Sequence, residues 1–333
     1  MDITLYTGTR ANQVLTFGMQ PDFVWAKNRT QNLYNHVLTD SVRGASKVIF
    51  SNLQNVEQTS NSIIDWSYGT NQVQLGDYGQ SSETGDSYVA WAWDAGTVAN
   101  PVGDIWEGSA TKYIGVKFSS ASGGTVSFGQ TTGTTTVEVW SSSDNSNWTQ
   151  QGGTLTLADG HTLTFTDQYV YIRNTSNATF TDWFAAATDG ADGHYSSATY
   201  PSGPSWSGPT YTDYDWRDSG GVINENGSIP SIVRANSSAG FSIVSYNGTG
   251  NSDTVGHGLN ASPGLILVKD RGVTINWAVY HSGLGTPADD FLVLNNTDAE
   301  ATISGYWGTT NSSAFGLIAG TYTHQIVTGK QPS

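Results

Sequence analysis

The sequence predicts an all-β protein in which two related β-sandwich-like repeat domains flank a central β-sandwich. Three observations carry that expectation. The composition is turn-rich and poor in charge, one sequence block recurs near both ends, and alternating segments fill the middle at hairpin spacing. Thirty-nine glycines and 12% aromatic residues suit short strands joined by tight turns. Charged residues make up 12% of the 333 residues, about half the roughly 25% usual in soluble domains. Long amphipathic helices need a charged outer face, so this shortage disfavours them.

The repeat is the strongest signal. Pro21-Asp22-Phe23-Val24-Trp25-Ala26-Lys27-Asn28-Arg29 matches Pro263-Gly264-Leu265-Ile266-Leu267-Val268-Lys269-Asp270-Arg271. Each follows a Tyr-x-Gly strand end (Tyr6-Thr7-Gly8 and Tyr246-Asn247-Gly248) and a glycine, Gly18 or Gly258. Asn52 precedes Glu57 by the same interval that separates Asn295 from Glu300, and the aromatic segments Trp66-Ser67-Tyr68-Gly69 and Tyr306-Trp307-Gly308 come next. The block reads as a strand entered through proline, where a missing ladder N–H does no harm. Its apolar run is expected inside, with Lys-Asn-Arg emerging into solvent. Ser87-Tyr88-Val89-Ala90-Trp91-Ala92-Trp93 closes the first copy as a strand with Tyr88, Ala90 and Ala92 on one face. The second copy ends at Ile326-Val327-Thr328-Gly329-Lys330, with a shortened or altered last strand.

Between the copies, alternating segments begin at Val116, Thr125, Thr135, Thr154, Thr162 and Tyr169, the pattern of a sandwich. Ser143-Asp144-Asn145-Ser146-Asn147-Trp148 is a hairpin turn. The expected organisation is an N-terminal β repeat over 1–98, a central β-sandwich over 104–187, a Gly/Pro/aromatic linker over 188–237 and a C-terminal β repeat over 238–333.

Thirteen Lys plus Arg against 28 Asp plus Glu give a net charge of −15, which repels phosphate backbones and anionic headgroups. Neither nucleic acid nor membrane is therefore an expected partner. Cysteine is absent, which removes disulfides, Cys-ligated zinc and thiol catalysis. Met1 leads straight into the alternating Ile3-Thr4-Leu5-Tyr6 without a signal peptide, so synthesis in the cytoplasm is expected. The glutamates Glu57, Glu83, Glu107, Glu138, Glu225 and Glu300 form no acid–nucleophile motif, and the six histidines show no metal spacing. Gly256-His257-Gly258 reads as a tight turn, and Asp189-Gly190-Ala191-Asp192-Gly193-His194 lacks the ligand count of a calcium loop. No enzyme, catalytic residue, metal site or cofactor is expected. Trp140 and Trp148 flank the central hairpin. Either they fill a small core, or their faces stack on sugar rings while Asn145 and Asn147 read hydroxyls.

The chain resembles repeat domains of virion structural, tail-fibre-like proteins of marine and cyanobacterial tailed phages. The resemblance rests on residues 18–29, Asp40-Ser41-Val42-Arg43-Gly44, Ser51-Asn52-Leu53 and Tyr88-Val89-Ala90-Trp91-Ala92-Trp93. It continues through residues 227–236 and 239–246, Val255-Gly256-His257-Gly258-Leu259 and Trp277-Ala278-Val279-Tyr280-His281. It implies a subunit on the particle exterior, a tail-fibre or tail-associated protein contributing to attachment to host-surface glycans. Its implied partners are other virion proteins and further copies of itself, a trimer being the oligomer expected of a fibre. A capsid decoration or head-fibre protein and a glycan-degrading enzyme are the alternatives.

Overall fold

A computed structural model describes residues 1–98, 103–107, 113–118, 121–130, 135–144, 147–157, 161–174, 183–188, 216–229, 231–246, 248 and 250–319. The fold is nearly all β, in antiparallel sheets, and divides into two compact units. One holds residues 1–98 with 224–333, so both copies of the repeat share it; the other holds residues 99–223.

In the first copy the strands are β1 (Asp2–Thr7), β2 (Gln13–Thr16), β3 (Phe23–Asn28), β4 (Val37–Asp40), β5 (Lys47–Phe50), β6 (Gln58–Thr59), β7 (Ile63–Gly69), β8 (Gln72–Leu75) and β9 (Ser87–Trp93). They form a six-stranded sheet, β1-β9-β3-β4-β5-β6, and a three-stranded sheet, β2-β8-β7. Apolar side chains from both meet in one core: Val24, Ala26, Ala90 and Ala92 from the larger, Leu15, Ile63, Val73 and Leu75 from the smaller. Each fully buried Val, Leu or Ile contributes about 1.5–3 kcal/mol. Along β9, Tyr88, Ala90 and Ala92 are buried and their neighbours are not, as the alternation predicts.

The central unit contains β10 (Gly103–Glu107), β11 (Tyr113–Lys117), β12 (Thr125–Gln130), β13 (Thr135–Ser142), β14 (Thr149–Gln150), β15 (Leu155–Leu157), β16 (Thr162–Thr164), β17 (Tyr169–Asn174), β18 (Trp183–Thr188) and β19 (Trp216–Ser219). Its sheets run β16-β12-β18-β10-β19 and β11-β17-β13-β14, with β15 also on β13. Val137, Val139, Val170 and Ile172 are buried on one sheet, Val126 on the other.

The second copy contains β20 (Val222–Asn224), β21 (Ser231–Asn236), β22 (Phe241–Tyr246), β23 (Asp253–Gly256), β24 (Leu265–Val268), β25 (Ala278–His281), β26 (Asp290–Val293), β27 (Ala301–Thr302), β28 (Trp307–Gly308) and β29 (Ala314–Leu317). The order β24-β25-β26-β27 repeats β3-β4-β5-β6, and β23-β29-β28 repeats β2-β8-β7. Hydrogen bonds repeat as well. Asn28 Oδ1 accepts from the amides of Thr30 and Gln31; Asp270 Oδ1 accepts from Gly272 and Val273. Asn52 Oδ1 accepts from the His36 amide at 2.9 Å, and Asn295 Oδ1 from the Trp277 amide at 2.8 Å. The duplicated block is thus a strand closed by an Asx turn, braced by an asparagine two residues past β5 or β26.

Two expectations need correction. The polar end of the block emerges only in part: Arg29 is exposed, but Asn28, Lys269 and Asp270 are buried, because the Asn28 and Asp270 side chains turn inward to cap the Asx turn. Nor is the 188–237 stretch only a linker. Trp216–Ser219 pairs with β10, and Ser231–Asn236 pairs along its full length with β22. Its Ile232-Val233 run is buried, which a connector would not require. The Pro-rich part of that stretch, the Asp/Gly/His segment at 189–194 and the end of the second copy at 326–330 lie outside the described residues.

Polar and aromatic contacts join the copies. Arg43 pairs with Asp40 and with Glu57 (3.1 Å), and Arg271 of the second copy reaches the same Glu57 oxygen at 3.5 Å. Trp277 packs on Leu38 and Ile49 and donates its indole N–H to the Phe50 carbonyl at 2.8 Å. Arg234 spans from Asp22 (3.0 Å) to the Gly96 carbonyl. Gly96 has φ +85, and a Cβ there would lie 3.1 Å from the Ala235 carbonyl oxygen, so the junction requires glycine.

Candidate functional site

A concave site in the two-copy unit is a cleft of about 530 Å³, within the range of small-ligand pockets. Four short segments build it: the start of β1 (Met1, Asp2), the turn at Gly18 and Met19, the end of β9 (Trp93, Asp94), and the turn from β21 to β22 (Asn236, Ala239, Phe241). Each polar lining residue holds its own turn. Asp2 Oδ2 accepts from the Gly18 amide, Asp94 Oδ1 from Gly96, and Asn236 Oδ1 from Ala239. That leaves the second Asp94 oxygen and the Asn236 amide nitrogen to offer a ligand. Trp93 and Phe241 stack with centroids 6.0 Å apart and planes 21° from parallel, and Phe23 meets both edge-on. The aromatic floor is therefore fixed from beneath.

Electrostatics separate the cleft from the layer under it. The backbone amides of Gly18 and Ile3 lower the pKa of Asp2, keeping it ionised. Beneath, burial pushes Asp22 up to about 6, against the lowering effect of Arg234 and the Ala95 amide. Asp22 already holds Arg234, Ala95 and Ser41, and it acts as a strut between the copies.

The sequence-derived sugar site lies in the central unit. Trp140 stands opposite Tyr171 in the β13–β17 ladder, on the face away from Val139 and Ile172. Trp148 meets the Tyr171 ring edge-on at 6.3 Å, and Tyr171 itself is buried, so both tryptophans stand beside a covered tyrosine. Asn147 lies in the turn, where its amide group donates to Asp144 Oδ2 at 2.7 Å and its backbone N–H to Oδ1. Asn145 lies outside the described residues. His257 forms the turn expected of it, its Nδ1 accepting from the Leu259 amide and Gly258 at φ +71.

The cleft was missed in the sequence because its lining comes from both ends of the chain. Its one legible sign is that the closing strand and the 227–236 segment both carry the family-like residues. Among the described residues, no group of three or more His, Cys, Asp or Glu could hold a metal, and no helix is long and apolar enough to cross a membrane.

Fold and cleft together define a duplicated all-β module with an inserted β-sandwich and an aromatic, acid-rimmed groove where the copies meet. The family model for a domain of unknown function (DUF7483) matches residues 1–201 and again 174–331, and the chain belongs to that family. Each match contains one copy of the repeat. No curated protein and no solved structure matches the chain.

Proposed function

We propose that this chain is a structural protein on the exterior of a phage particle, a tail-fibre or tail-associated subunit that contributes to attachment by holding a host-surface glycan. The cleft carries the reading. It combines a braced Trp93–Phe241 floor with Asp2, Asp94 and Asn236, the pairing of ring face and hydroxyl acceptor that neutral sugars require. Two acidic side chains at the rim favour an uncharged glycan over a sulfated or phosphorylated one. Asp2, held ionised by the Gly18 and Ile3 amides, suits a hydroxyl acceptor rather than the proton donor of a glycosidase. Trp148, half-buried beside the central hairpin, is the second candidate for stacking on a sugar ring. Self-association has support in β1, an edge strand in the described sheet with Ile3 and Leu5 50% and 64% exposed.

The test is a glycan array of host-surface polysaccharides probed with the full chain, with Ala239→Trp and Trp148→Ala beside it. Ala239 is exposed at the cleft mouth, so the larger side chain blocks the groove without entering a core. Loss of sugar binding in Ala239→Trp at unchanged Tm supports the cleft, and loss only in Trp148→Ala transfers the role to the central sandwich. No binding by the parent chain, or release of reducing ends from the polysaccharide, overturns the proposal. Immunogold labelling of particles tests the exterior location.

A further inference from the structure

The larger sheet of the first copy has two unlike edges. At one end β6 is two residues long, and both are polar and exposed. At the other, β1 runs for six residues in unbroken register with β9, from Asp2 opposite Ala92 to Thr7 opposite Ser87. Alternation fixes where its backbone groups point. The carbonyls of Ser87 and Trp93 accept from the amides of Arg29 and Asp22, on the β3 side of β9, so Tyr88, Ala90 and Ala92 turn theirs toward β1. Their partners Tyr6, Thr4 and Asp2 therefore bond β9. Ile3, Leu5 and Thr7 present their N–H and C=O groups to the opposite side.

Two observations mark this edge as made for another strand. Gln13 Nε2 donates to the Thr7 carbonyl at 2.9 Å and closes the far end of the edge. Among the described residues only the Asp2 carboxylate approaches the Ile3 amide, and no partner meets the Ile3 carbonyl or the Leu5 backbone. The second observation is an apolar row. Ile3 and Leu5 are half or more exposed, Ile3 stands beside Trp91, and Trp91 meets Trp25 edge-on at 6.4 Å, where Trp277 of the second repeat packs. Lysine, proline and a bulge, the usual devices that blunt an edge, are all missing from Asp2–Thr7.

We propose that β1 is the interface with a second molecule of this protein, the two β1 strands pairing antiparallel about a two-fold axis at Thr4. This specifies the self-association read above and does not depend on sugar binding. A two-fold contact requires the edge to match itself. With Thr4 opposite the partner's Thr4, Ile3 faces the partner's Leu5 and Leu5 faces the partner's Ile3. The outward backbone groups then meet in two hydrogen-bonded pairs, and the exposed side chains cover one another. Moving the axis to Leu5 would set Ile3 against the partner's Thr7, whose carbonyl Gln13 already holds. Charge does not oppose the pairing, although the chain carries −15. Asp2 is the one charged residue of β1 and faces the partner's Tyr6. The two Asp2 carboxylates thus lie about 14 Å apart along the strands, beyond the ~8 Å screening length of physiological salt. The register gives a dimer where the fibre resemblance implies a trimer.

Because the chain has no cysteine, introduced thiols report this register alone. Facing residues of a hydrogen-bonded pair are about 5.5 Å apart at Cα, within disulfide reach, and diagonal ones about 7–8 Å, beyond it. Full-length Ile3→Cys and Leu5→Cys chains, each oxidised alone, are therefore expected to run as monomers without reductant, and their mixture as a covalent dimer. A covalent dimer from either variant alone, or none from the mixture, would overturn the proposal. A second measurement needs no thiol. In sedimentation velocity the unaltered chain is expected to dimerise as its concentration rises, and Leu5→Lys, at an exposed site, to stay monomeric at unchanged Tm. A monomer at every concentration would remove both this interface and self-association. A trimer, or a dimer that survives Leu5→Lys, would leave self-association standing and overturn this interface.

Discussion

Glu57 is the most demanding single position in the two-copy unit. Its carboxylate lies 3.1 Å from Arg43 and 3.5 Å from Arg271, and Arg43 also holds Asp40. The four side chains are only 5–13% exposed, and their two positive and two negative charges balance. Glu57→Gln keeps the volume and removes one negative charge, leaving Asp40 as the one acid of these four side chains beside two buried guanidiniums. Removing one member of a buried ion network costs about 3–5 kcal/mol, a large part of the 5–15 kcal/mol that holds a domain folded. With a urea slope of about 2–3 kcal/mol/M, the midpoint should fall by roughly 1–2 M. Glu57→Gln/Arg271→Met removes one charge of each sign and should recover much of that loss, a coupling that a double-mutant cycle measures directly. A loss below about 1 kcal/mol in Glu57→Gln, or strict additivity in the double variant, would refute the claim that this network joins the copies.

Three further outcomes follow from the same unit. Trp277→Phe removes the indole N–H from the Phe50 carbonyl; because the Leu53 amide also reaches that oxygen at 3.3 Å, the expected loss by thermal denaturation is about 1 kcal/mol rather than 3. Asp22 and Asp270 both have folded pKa values raised to about 6 by burial, so the folded state binds more protons than the unfolded one between pH 4 and 6. Their contribution to stability therefore falls as pH rises through that window and is flat above it. Asp270→Asn, the residue type of the first copy, keeps the Asx acceptor and should flatten the profile, with a gain above pH 6 on the order of 1–3 kcal/mol; an unchanged profile would count against a buried charge there. Gly96→Ala forces a Cβ onto positive φ beside the Ala235 carbonyl and should cost about 1–3 kcal/mol in urea denaturation.

What was legible in the sequence was what local chemistry fixes. The alternation of Tyr88, Ala90 and Ala92 gave a strand and its inner face, and the matched Asn52 and Asn295 make the same hydrogen bonds in both copies. Long-range partners were not legible. Glu57 and Glu300 occupy equivalent places before β6 and β27, yet one is held in a buried network and the other is exposed. No local pattern tells them apart, because the difference lies in Arg271, far along the chain. Ser231–Asn236 was read as connector because proline and glycine surround it; its strand exists because β22 has an edge to offer. The cleft was hidden for the same reason, assembled from Trp93 and Phe241, which no spacing rule connects.

The unequal use of equivalent residues also shows how the copies are joined. A two-fold arrangement would set Arg29 against Glu300 as Arg271 is set against Glu57, but Arg29 and Glu300 are both exposed. The interface is therefore heterologous: the turn after β24 docks on β4–β6 of the first copy, and the equivalent turn after β3 has no copy beneath it. Leu33 and Ile275, five residues past Asn28 and Asp270, make the contrast measurable. Leu33 is 77% exposed, while Ile275 packs on the second-copy core and donates its amide to the Gln54 carbonyl. Leu33→Ala should leave stability within about 0.5 kcal/mol of the parent. Ile275→Ala, half-buried, should cost about 1–2 kcal/mol, near half of the 2–5 kcal/mol of a full core truncation. Equal losses in the two variants, by chemical denaturation of the full chain, would mean that both turns are docked and that the copies are joined by two-fold symmetry after all.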